Sequence, residues 1–97
     1  MRVCIYKITY PNGKIYIGQD RTDNLLYIGH VNSKLVARDF TRDERRDFTI
    51  RKQILWESDT ATLREISQKE TELISLHRSN DPAIGYNRTP KHNPAKV

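Results

Sequence analysis

The sequence predicts a mixed α+β fold of three strands and two helices in one domain. Three observations carry this: a β-hairpin signature across residues 3–18, a second alternating segment from Phe48 to Glu57, and an amphipathic helix opening at Thr62. At 97 residues the chain holds one core and no second catalytic module, so any chemistry must sit on that core's surface. The domain is expected to span residues 1–88. The polar, basic, Pro-containing segment 89–97 then has the composition of a mobile tail.

The hairpin is read from two runs rich in Ile, Val, Tyr and Thr, residues 3–10 and 14–18, joined by Pro11-Asn12-Gly13. Pro pre-sets the first turn position, and Gly13 takes the left-handed conformation that closes a three-residue loop. This loop pairs Tyr10 with Lys14, Ile8 with Tyr16 and Tyr6 with Gly18. Tyr6 and Tyr16 then share one face, with open space at Gly18 beside them. A two-residue Asn-Gly turn would slip the register and separate the two phenols.

Asn32 and Ser33 are capping residues for a short helix through Leu35, Val36 and Phe40, whose polar side carries Lys34 and Arg38. In the third strand, Phe48, Ile50, Ile54 and Trp56 fall on one side and Thr49, Arg51, Gln53 and Glu57 on the other. The last helix opens with a Thr62-x-x-Glu65 capping box, runs to about Arg78 and is stopped by Asn80-Asp81-Pro82.

That helix holds the most informative residue. Leu63, Ile66, Leu73, Ile74 and His77 form one face, and Glu70 falls in the middle of this apolar stripe, whereas Glu72 points to the solvated side. An inward carboxylate needs a cation, a metal or hydrogen bonds, and a buried salt bridge would satisfy it as well as a metal ion would.

Composition bounds the rest. Seventeen Lys and Arg against twelve Asp and Glu give a net charge of +5, which suits a polyanionic partner. Residues 34–52 alone carry seven basic side chains against four acidic ones, so a few phosphate contacts and modest affinity are expected. Cys4 is the only cysteine, which excludes an internal disulfide and a thiolate metal cluster and fits a reducing, cytoplasmic setting. No run approaches transmembrane length and no signal-peptide pattern opens the chain. With only two Phe and one Trp, a base-stacking platform for single strands is also not expected.

Cys4-Ile5-Tyr6, then Tyr16-Ile17-Gly18, then a helical Glu70 followed by Leu73-Ile74, and finally Gly85-Tyr86-Asn87 together resemble the GIY-YIG nuclease family. The order covers nearly the whole chain. Cys4 departs from the glycine usual at its position, and the Arg-His pair common after the second triplet is missing. In its place "YIGHVNSKLVARD", with Tyr27, Gly29, Ser33 and Lys34, is similar to the Tyr-x-Gly-Ser-x-Lys pattern of a phage-associated branch, which would place the protein in a host cytoplasm.

The resemblance implies an antiparallel three-stranded sheet flanked by helices, cleaving phosphodiester bonds in nucleic acid, most simply DNA, with one divalent ion. Glu70 would be the sole protein ligand of Mg²⁺ or Mn²⁺, with waters and phosphate oxygens completing the shell. Tyr6 or Tyr16 would be the general base, Tyr6 being favoured. A phenol serves as a base near neutrality only if cations lower its pKa, so an electropositive site is expected. Arg38 and Lys34, with His30 and Arg21 behind them, would supply that charge, and Asn87 would brace the tyrosine network or the helix end. No separate recognition domain is expected within these 97 residues, so cutting both strands would call for a homodimer, successive events or an accessory recognition protein. A domain of the same fold that binds nucleic acid without cutting it, or a basic structural module with Glu70 in a salt bridge, fits the same residues.

Overall fold

Turn chemistry at Pro11-Asn12-Gly13 sets the sheet. In the computed structural model, which describes residues 2–29 and 31–94, the Tyr10 N–H donates to the Lys14 carbonyl at 2.9 Å and the Gly13 N–H to the Tyr10 carbonyl at 2.9 Å. Gly13 sits at φ +85°, and the Asn12 side-chain oxygen accepts from the Lys14 N–H at 3.0 Å. The strands β1 (Val3–Thr9) and β2 (Ile15–Asp20) therefore pair antiparallel with Ile8 opposite Tyr16 and Tyr6 opposite Gly18, the register the three-residue loop requires.

β3 (Arg51–Ser58) adds antiparallel to the other side of β1, giving the order β2-β1-β3. Its alternation is broken where Ile5 pairs with Trp56 but Tyr6 pairs with Ile54, so Leu55 is an extra residue in a β-bulge. The expected single apolar side from Phe48 to Trp56 is thereby split. Leu55 and Trp56 pack with Val3, Ile5 and Ile17, Ile50 packs on the opposite face, and Ile54 stays exposed.

The first of those faces is covered by α2 (Leu63–His77), whose Ile66 and Ile74 are buried against Val3, Ile5 and Ile17. The helix opens with the reciprocal Thr62–Glu65 capping box and ends at Arg78 in the left-handed region, φ 58°. Leu63 departs from its expected inward place: it lies in the first turn and is exposed, because packing onto the sheet begins at Ile66.

The second face gathers Tyr6, Ile8, Tyr10, Phe40 and Tyr86, with Leu35 and Val36 of α1 (Ser33–Arg38) against them. Asn32 caps α1 by accepting from the Lys34 and Leu35 N–H groups at 3.0 and 3.3 Å. Beyond α2 the chain returns to the outer edge of β2, where the Ile15 N–H donates to the Ile84 carbonyl and the Tyr86 N–H to the Ile15 carbonyl. Gly85 is obligatory in this parallel bridge, since a Cβ there would meet the Ile15 and Ser79 carbonyl oxygens. The tail folds back as far as it is described: Asn80 donates to the Pro90 carbonyl at 2.7 Å and His92 lies 3.9 Å from Asp81. No helix is long and apolar enough to cross a membrane among the described residues.

Candidate active site

Two tyrosines and two glycines build the floor of the site. Tyr6, at the centre of the middle strand, is only 1% exposed, whereas Tyr16 on β2 is half-buried. Both belong to the same face. Gly18 faces Tyr6 across the ladder, and Gly29, at φ +80°, comes down on the same phenol from the loop after β2. A Cβ on either glycine would overlap the Tyr6 hydroxyl and press on the Tyr16 ring, at 3.2 Å for Gly18 and 3.3 Å for Gly29. The glycines therefore admit the Tyr6 hydroxyl between two stretches of backbone.

Glu70 reaches this spot from the other side. α2 packs on the Ile5–Ile17 face, opposite the two phenols, so Glu70 meets β2 at Gln19, past the stretch that residues 84–87 close. Its Oε1 accepts from Gln19 Nε2 at 3.2 Å, and Gln19 Oε1 accepts from Arg21 Nε at 2.8 Å. The chain Arg21–Gln19–Glu70 gives the half-buried carboxylate a neutral donor with a guanidinium one step behind. Among the described residues no Lys or Arg forms an ion pair with Glu70, so the salt-bridge alternative is absent there. Glu72, by contrast, is an exposed partner of Lys69 at 3.4 Å.

The electrostatics run opposite to the expected direction. Burial pushes the Tyr6 phenol well above its ordinary value, and the neighbouring Tyr16, Tyr27 and Glu70 add to the shift. Burial also raises Tyr16, with Glu70 and then Tyr27 as further causes. With the site as it stands both phenols are firmly protonated. The same shifts show that Glu70 is near enough to act on both rings.

A loop-bracing pair beside the site was not singled out in the sequence. Lys52 on β3 donates to the carbonyls of Asn24, Leu25 and Tyr27 at 3.4, 3.1 and 2.7 Å, and its ammonium lies 5.2 Å from the Tyr6 ring centroid. Asp20, almost fully buried, accepts from the Thr22 N–H, the Thr22 hydroxyl and the Asn24 N–H. Those hydrogen bonds outweigh its burial and hold the carboxyl below its usual range. Together they shape residues 20–29, which present Tyr27 edge-on to Tyr6 at 6.0 Å and Gly29 above it. The signal that could have revealed Asp20 was the Asp-x-Thr pattern of a side chain turning back on its own backbone.

No family model, no curated protein and no solved structure matches this chain.

The remaining candidate residues divide between two places. Asn87 grips β2 between Tyr16 and Gly18: its Oδ1 accepts from the Ile17 N–H and its Nδ2 donates to the Ile17 carbonyl, both at 2.8 Å. It braces the strand that carries Tyr16 rather than bonding the phenol itself. Arg38 is exposed at the end of α1, beside Asp39 and Tyr86, and its charge acts on those two groups. Lys34 is exposed in the first turn of α1. Arg21 alone among the candidate cations that are described is linked to Glu70. His30 lies outside the described residues. Cys4, in the place of the resemblance's glycine, lines a cavity with Asp20, Leu25 and Lys52, its thiol pushed up by burial.

Proposed function

We propose that this chain is a metal-dependent endonuclease acting on phosphodiester bonds in DNA, with its reacting centre between Tyr16 and Glu70. The observation that supports this most directly is that Tyr6 and Tyr16 share one face of the hairpin while Glu70, from α2, bonds Gln19 beside them and acts by its charge on both phenols.

The donor set fits a single hard divalent ion. Glu70 Oε1 is held by Gln19, while its second oxygen has no hydrogen-bond partner among the described residues. Among the described residues no group of three or more His, Cys, Asp or Glu side chains forms, and Glu70 alone would hold Mg²⁺ or Mn²⁺, with waters and phosphate oxygens completing the shell. When bound, such an ion supplies Lewis acidity and offsets the carboxylate's upward pull on the phenols.

The two tyrosines take different parts. Tyr16, half-buried at the sheet edge, is the more accessible phenol and would take a proton from water only as the phenolate, a form that a bound cation would favour, and Tyr6, enclosed by Gly18 and Gly29, positions it. This reverses the sequence-based preference for Tyr6. Gln19 and Arg21 orient Glu70, and Asn87 fixes the strand under Tyr16.

Supercoiled plasmid tests the reading. Nicking is expected with Mg²⁺ and none with chelator. Glu70→Gln should abolish it, Glu72→Gln should not, and Tyr16→Phe should slow it by about 10². Equal activity of the Glu70 and Glu72 variants would remove the assignment. Because Gln can still accept from Gln19, Glu70→Gln should unfold within about 1 kcal/mol of the parent. The raised phenols favour a second reading, binding without cutting, in which plasmid is retarded on a gel but stays intact with every divalent ion.

A further inference from the structure

The cavities of the molecule differ in charge. One, of about 500 Å³ between the start of β1 and residues 20–26, sets Arg2 and Lys52 against Asp20, Asp23 and Glu57, so its charges are mixed. A second groove, of about 280 Å³, is lined by Lys14, Arg38, Arg88 and His92, with no Asp or Glu in its wall. Asp39, just behind it, is already occupied: it pairs with Lys14 at 2.9 Å and accepts from the Tyr86 hydroxyl at 2.8 Å. Arg38 and Arg88 are exposed and form no ion pair among the described residues.

Resting on the nuclease reading, we infer that this groove holds the sugar–phosphate backbone of the bound nucleic acid away from the bond being cut, with Arg38 and Arg88 as its two phosphate contacts. A guanidinium presents a planar fork of donors that fits phosphate oxygens two at a time, and neither fork is spent on the protein. The groove's floor is the Gly85–Asn87 segment that pairs with β2, so a strand lying in it runs alongside the strand that carries Tyr16. The sequence could not join these two arginines, which lie 50 positions apart.

Binding of a short DNA duplex, measured in chelator so that cutting plays no part, tests this. The double variant Arg38→Ala/Arg88→Ala should flatten the dependence of log K on log salt by about 1.8, from two lost contacts at about 0.9 each. The charge-keeping Arg38→Lys/Arg88→Lys pair should retain the slope, as should Arg64→Ala on the outer face of α2. A parent slope in the folded Ala double variant, an equal loss in Arg64→Ala, or salt-independent binding by the parent would each overturn the inference. Plasmid left intact with Mg²⁺ would defeat only the nuclease reading, because the groove is read without metal.

Discussion

Gly29 and Gly13 both sit at positive φ, and their surroundings make them unequal. Nothing approaches the space where a Gly13 side chain would grow, so Gly13→Ala should cost only its backbone strain, about 1 kcal/mol. At Gly29 the same strain is joined by overlap with the Tyr6 hydroxyl. Gly29→Ala should therefore destabilise more than Gly13→Ala, and pairing it with Tyr6→Phe should recover part of the loss, a coupling of about 0.5 kcal/mol or more in urea unfolding. Strict additivity of the two changes would mean that the loop simply lifts away from the phenol.

Between β2 and its outer neighbour, one amide does the work of a strand. Asn87→Ala removes both partners of Ile17 and should cost about 1–3 kcal/mol while speeding exchange of the Ile17 amide proton. Asn87→Asp keeps the acceptor, so the Ile17 amide should stay protected even though the carbonyl loses its donor. Similar amide exchange in the two variants would contradict this account. At this level the sequence was legible wherever a local signal decides the outcome: the loop at Pro11-Asn12-Gly13, the Asn32 cap and the Thr62–Glu65 box each act within a few residues. It was illegible where a contact between distant segments decides. The bulge at Leu55 lies in an Ile-Leu-Trp run, where alternation cannot say which residue is the extra one. Lys52 reads as a solvated charge until residues 24–27 fold over it. Arg45 likewise adds to the basic count of residues 34–52, yet its guanidinium is spent on the protein, donating to the carbonyls of Ala37 and Phe40 at 2.6 and 3.1 Å.

Taken as a whole, the molecule keeps its phenols on the inside. Burial raises Tyr6 and Tyr16 and pushes Tyr10 up to about 12. Each binds its proton more tightly folded than unfolded, so stability is complete below the unfolded phenol value and falls as pH rises through it. Urea midpoints should thus drop steeply above about pH 10, and Tyr6→Phe should flatten that limb; an unchanged limb would show that the Tyr6 phenol ionises as freely folded as unfolded. The way β2 is enclosed bears also on how the molecule is made. Its inner neighbour, β1, emerges first and pairs within a few residues, but its outer edge is closed by Asn87, 70 positions after Ile17. A chain leaving the ribosome thus carries both phenols long before the residues that fix Tyr16's strand exist. A product that stops short of Asn87 lacks the side chain that closes β2, so the proposed cutting activity should be missing from it.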